Sequence, residues 1–102
     1  MYVCVWEFAV REEAVAEFIL DYGPRGAWVR LFQQSPGFVT THLLCDRSRP
    51  DRFVTVDQWE SRDAHLAFLA AHQAEYDALD RQGARWTRRE RLVGEFEEVG
   101  PG

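Results

Sequence analysis

Apolar and polar positions along this chain follow two periods in turn, and the changeovers mark its elements. From Tyr2 to Val10 nearly every position is apolar, with Tyr2, Cys4, Trp6 and Phe8 on one parity and Val3, Val5 and Ala9 on the other. A strand with one wet face would be polar on that parity, so this run predicts a strand covered on both faces. The period then lengthens. Val15, Phe18, Ile19 and Tyr22 fall at helical spacing and predict a helix from about Arg11. The segment "YGPRG" (Tyr22–Gly26) interrupts it, because Pro24 lacks a backbone donor and glycine admits unusual φ. A short helical piece carries Trp28, Leu31 and Phe32 on one side, and "SPG" at Ser35–Gly37 turns the chain.

Phe38 to Cys45 reads as a second strand, Asp46–Arg52 as a polar hairpin-like loop, and Phe53 to Trp59 as a third strand. Ser61 suits a helix N-cap, with Asp63 in the first turn where negative charge favours the helix dipole. The next helix presents Phe68, Ala71/His72, Tyr76 and Leu79 as an inward stripe, and Gly83 is its expected stop. A fourth strand is predicted from about Glu90 to Glu97. The order β-α-β-β-α-β specifies a ferredoxin-like α+β fold, a four-stranded antiparallel sheet with both helices on one face. The apolar second face of the first strand then calls for cover, which predicts a homodimer pairing through the sheet face. Residues 1–98 form the expected domain and residues 99–102 a short C-terminal tail.

Composition narrows the function classes. A chain of 102 residues can bury roughly two-thirds of the surface exposed when unfolded, a thin core that a partner subunit would reinforce. The formal charge is −5, and all twelve basic residues are scattered arginines. Nucleic acid or an anionic membrane surface would need a basic face instead, so neither is an expected partner. No segment reaches the ~20 apolar residues of a membrane helix. The apolar N-terminus lacks a basic n-region and contains Glu7, as in a strand rather than a signal peptide. Cys4 and Cys45 have no metal or redox spacing and fit buried free thiols in the cytoplasm.

Candidate chemistry is sparse. His65 and His72 lie seven apart, so two helical turns put their α-carbons about 10.5 Å apart along the axis. Zinc–nitrogen bonds are ~2.1 Å, so this pair does not predict a metal site. Ser61 has no Gly-rich elbow, no phosphate-cradling loop follows a strand, and the basic-Gly-aromatic signature of RNA-recognition domains is missing. What remains are histidines and aromatics on inward faces. Phe53, Thr55, Asp57 and Trp59 share one strand face; His72 and Tyr76 are i, i+4 neighbours; His42 shares a face with Phe38, Thr40 and Leu44. Each histidine also reads as a satisfied core or interface residue, His42 more readily than His65 and His72, and an aromatic stripe at helical spacing is more often plain core than pocket.

The segments "YVCVWEFAV", "YGPRGAWVRLFQQSPGF", "DQWESRDAHLAF" and "EYDALD", in that order, resemble the antibiotic-biosynthesis-monooxygenase (ABM) family of dimeric α+β barrels. The likeness runs from about Tyr2 to Glu97, and its best markers are Trp59–Ser61 and the Gly37–Phe38 strand entry. It implies a pocket in each subunit between the sheet and its own helices. Family oxygenases use an Asn, a Trp and a Tyr or His there. Trp59 matches the Trp, Thr55 stands where the amide would be, and His65 falls near a position of the pocket Tyr. Haem-degrading members need an Asn and a late-helix His. This chain contains no Asn, and Ala78 falls nearest that His, so haem degradation is not expected.

The resemblance therefore implies a cofactor-independent monooxygenase-type enzyme for a small aromatic or enolisable compound, with no metal or flavin. A histidine would take the substrate's proton. The pocket is expected between the third strand and the second long helix, with His72, His65 and Trp59 in catalytic roles and Thr55, Asp57, Phe68, Tyr76 and His42 as its lining. The alternative is a non-catalytic small-ligand-binding or stress-response dimer of the same fold.

Overall fold

The computed structural model describes residues 1–100; Pro101 and Gly102 of the expected tail lie outside the described residues. Strand β1 (Tyr2–Val10) leads through a 3₁₀ turn (Glu12–Ala14) into α1 (Val15–Tyr22) and α2 (Ala27–Phe32). Strands β2 (Phe38–Cys45) and β3 (Arg52–Trp59) form a hairpin, and α3 (Arg62–Ala84) returns the chain to β4 (Thr87–Glu97). The sheet runs β2-β3-β1-β4 with every pair antiparallel, and this is the ferredoxin-like α+β arrangement. The first helix starts four residues later than its periodicity suggested, because the entry is a 3₁₀ turn. The fourth strand starts at Thr87 rather than Glu90, since Val10 pairs with Thr87 at the end of the ladder.

Local chemistry sets the joints. Ser61 Oγ accepts from Ala64 N at 3.0 Å and starts α3. In the β2–β3 loop, Asp46 Oδ1 accepts from Ser48 N at 2.7 Å, an Asx turn, while Oδ2 meets Arg52 Nη1 at 3.0 Å. Gly37 lets the start of β2 approach α3, because a Cβ there would lie 2.3 Å from the Ala64 Cβ. An irregularity between Phe38 and Thr40 puts one extra residue into β2. It reverses the parity expected beyond Phe38. Thr41 and Leu43 sit beside Asp57 and Thr55, whereas His42 sits beside Val56 and points away from the helices.

The core lies between the sheet and the helices in two aromatic clusters. Phe8, Phe18, Tyr22 and Phe53 form the first, with Phe18 stacked on Tyr22 at a centroid distance of 4.2 Å. Phe32, Phe38, Trp59 and Phe68 form the second, with centroids 5.1–5.5 Å apart. Cys4 is buried as expected, but Cys45 is exposed at the open end of β2, so only one thiol belongs to the core. No helix among the described residues is long and apolar enough to cross a membrane.

Candidate active site

A gap in the size of inward side chains opens a cavity between the two clusters. Along β1 the inward row reads Tyr2, Cys4, Trp6, Phe8, and the β3 residues paired with it are Trp59, Asp57, Thr55 and Phe53. Large rings fill both ends of this double row. Cys4, Thr55 and Asp57 are too small to fill the middle, and Trp6 is only half-buried there. Tyr22 of α1, Trp28 and Phe32 of α2, and His65, Tyr76 and Asp80 of α3 complete the walls, with Thr41 of β2 and Glu90 of β4 at the flanks. The space measures about 560 Å³ counting the part open to solvent. Trp28 and Tyr76 meet edge-on across it, centroids 5.0 Å apart.

Asp57 occupies the floor. It is buried, and Thr41 Oγ1 donates to its Oδ1 at 2.9 Å. Removal from water pushes its carboxyl from the ordinary 3.8 up to about 6, and the Thr41 bond offsets only part of this. Glu90 at the mouth is likewise raised to about 6, first by desolvation of its carboxyl end and then by the charge of Asp80. Its remaining surface is solvent-exposed. His65 packs against Tyr2 and Trp59 at centroid distances of 5.4 and 5.2 Å. Desolvation lowers its pKa, so it stays neutral at pH 7 and offers one N–H and one lone pair. Burial, reinforced by Asp80, Glu90 and Asp57, raises the Tyr76 phenol to about 12. The Cys4 thiol is also pushed up by burial, and its Sγ donates to Tyr2 Oη at 3.2 Å. No group of three or more metal-ligating side chains occurs among the described residues.

Comparison with known proteins adds the lineage. The family model "Antibiotic biosynthesis monooxygenase" matches residues 1–76. The chain belongs to the antibiotic biosynthesis monooxygenase family. Its sheet and helices superpose on SnoaB, a cofactor-independent oxygenase from Streptomyces nogalater, with a TM-score of 0.78 and 24% identity over 98% of this chain and 94% of that one. A conserved protein from Methanosarcina mazei gives 0.73 at 10% identity, covering 95% and 91%. A protein from Nitrosomonas europaea assigned to antibiotic biosynthesis monooxygenase gives 0.72 at 18% identity, covering 97% and 99%. At these identities the superpositions establish a shared fold. No curated protein matches the chain by sequence.

This ABM-family cavity collects some of the residues singled out from sequence and excludes others. Thr55, Asp57, His65 and Tyr76 line it. Trp59 and Phe68 do not; each is 1% exposed and belongs to the second aromatic cluster that walls the cavity off. His42 is corrected to the opposite sheet face by the β2 irregularity. His72 does not line the cavity either; α3 leaves helical geometry there (φ −128°, ψ 28°). Its ring stacks on Phe68 at 5.4 Å, and Nδ1 meets Glu75 Oε2 at 3.0 Å. The cavity consequently sits nearer α2 than expected.

Trp28, Cys4, Trp6, Asp80 and Glu90 were not singled out as site residues. The small inward residues between large ones on β1 and β3 were a readable signal. The approach of Asp80 and Glu90, ten residues apart on different elements, had none.

Proposed function

We propose that this ABM-family protein is a cofactor-independent monooxygenase acting in the cytoplasm on a small aromatic or enolisable compound, with Asp57 as the base. The supporting observation is a buried carboxyl raised to about 6 at the floor of an aromatic-walled cavity. A base with that pKa is mostly ionised at neutral pH yet retains proton affinity. In the proposed reaction Asp57 removes a proton from an activated CH₂ of the substrate. The carbanion reduces O₂ and a C–O bond forms, giving a hydroperoxide after the proton returns. Loss of water then breaks the O–O bond and leaves a carbonyl, so one CH₂ and one O₂ become one C=O and one H₂O. His65, neutral and beside the cavity, would hydrogen-bond the substrate oxygen as charge develops there.

The catalytic unit in this proposal is a homodimer. Val3, Val5, Val54 and Val56 are only half-buried on the sheet face away from the helices, and Leu44 and Phe96 are 51% and 49% exposed. A second copy of the same sheet would cover that strip.

Oxygen uptake with anthrone- and quinol-like compounds tests the activity. Turnover should rise with pH on a limb near 6, and Asp57→Asn should cut it by a factor of about 10²–10⁴. Saturable binding without oxygen uptake would instead favour a ligand-binding role.

A further inference from the structure

The cavity has a charge character that the proposed chemistry does not require. Three carboxyl side chains line it: Asp57 on the floor, and Asp80 and Glu90 from α3 and β4 at the mouth. None of the twelve arginines of the sequence lines it, and its only other titratable cation former, His65, is held neutral. Burial raises the carboxyl of Asp21, and the charge of Arg30 offsets part of that rise; Arg52 and Arg91 are engaged by Glu7 on the opposite sheet face, at 2.5 and 2.7 Å. The carboxylates act across the cavity, because Asp80, Glu90 and Asp57 all help to keep the Tyr76 phenol protonated.

Asp57 makes this more than an acidic surface cluster. It is 8% exposed and its Oδ1 is satisfied by Thr41, but Oδ2 has no hydrogen-bond partner among the described residues. Its negative charge is therefore carried by a buried side chain that lines a cavity. The walls include the rings of Trp6, Trp28, Tyr22 and Tyr76, the residue types whose faces attract a cation through the ring quadrupole. An anionic ligand would meet three like charges in a partly desolvated space, and a neutral one would leave them unbalanced.

We infer that the cavity selects a ligand bearing a protonated amine on an aromatic or planar frame, the amine supplying the positive charge that the lining lacks. This rests on the cavity being the site proposed above, and it names the substrate class for that site. A bound ammonium would also favour carbanion formation at Asp57, because it would offset the negative charge that deprotonation creates.

Three probes of nearly equal shape test the inference: 2-naphthylmethylamine, 2-naphthylmethanol and 2-naphthoate, measured by calorimetry and tryptophan fluorescence at pH 8 and low salt. The amine should bind about tenfold tighter than the alcohol, and the carboxylate should bind most weakly. Asp80→Asn and Glu90→Gln change exposed side chains, and each should weaken the amine severalfold more than the alcohol. Raising the salt concentration should narrow the same gap. Equal affinity for the three probes, tighter binding of the carboxylate, no binding of the amine at millimolar concentration, or an amine preference that survives the double variant would each overturn the inference. Oxygen uptake does not enter this readout. Amine selectivity in a protein that consumes no oxygen would remove the monooxygenase reading and leave the selectivity standing; turnover without amine preference would do the reverse.

Discussion

At the scale of single residues, the fold and the site make opposing demands on Asp57. Its carboxyl is raised from 3.8 to about 6 by burial, so between about pH 4 and 6 the folded chain holds a proton that the unfolded chain has released. Stability must therefore fall as pH rises through that window and stay lowered above it. A displacement of this size corresponds to at most about 3 kcal/mol. Asp57→Asn keeps an acceptor for Thr41 and removes the buried charge. It should raise the urea-unfolding free energy at pH 8 by up to that amount, with little gain at pH 4, while cutting turnover by the factor given above. The histidines separate in the same way. His65→Ala opens the cavity wall and should weaken ligand binding, whereas His72 does not line the cavity and His72→Ala should leave binding within about twofold. Isothermal titration of both variants with one ligand measures the difference.

At the scale of elements, α3 is positioned by a close approach. A Cβ on Gly83 would stand 2.0 Å from the hydroxyl of Tyr22, which is buried and stacked on Phe18, so neither group can readily withdraw. The glycine is there for clearance, not for a left-handed φ. Gly83→Ala should cost about 1–3 kcal/mol by overpacking, partly offset by the roughly 1 kcal/mol better helix propensity of alanine. Pairing it with Tyr22→Phe, which deletes the obstructing oxygen, should recover most of the loss in thermal melts. The extra residue in β2 redirects His42, which regular periodicity would send inward, to the face away from the helices.

At the scale of the whole molecule, the exposed sheet face bears on assembly. Val5 and Val56 pair at the centre of that face, with Val54 and Leu44 alongside. Val56→Arg would put a charge on each side of the proposed sheet-to-sheet contact, where burial of unpaired charge is costly. Sedimentation should then show the wild-type dimer near 24 kDa, twice the 11.9 kDa chain, converted to monomer in the variant. A wild-type chain that sediments as a monomer at micromolar concentration defeats the dimer.

The order of strands and helices was legible from the sequence because it rests on local causes. Alternating and helical periods, a broken helix at Pro24, a cap at Ser61 and turn residues around Asp46 each act within a few residues. The inward face of β3 was legible for the same reason, and it placed Thr55 and Asp57 correctly toward the helices. Tertiary structure decided where the empty space lies. A cavity is what remains after distant side chains have packed, and here Trp59 and Phe68 closed the expected crevice while Cys4, Thr55 and Asp57 left room beside α2. One inserted residue turned His42 away from the site, an insertion that no period betrays, and His72 packs on Phe68 outside the cavity lining. The meeting of Asp80 with Glu90 depends on how α3 lies over β4, so the acidic character of the cavity belongs to the folded chain alone.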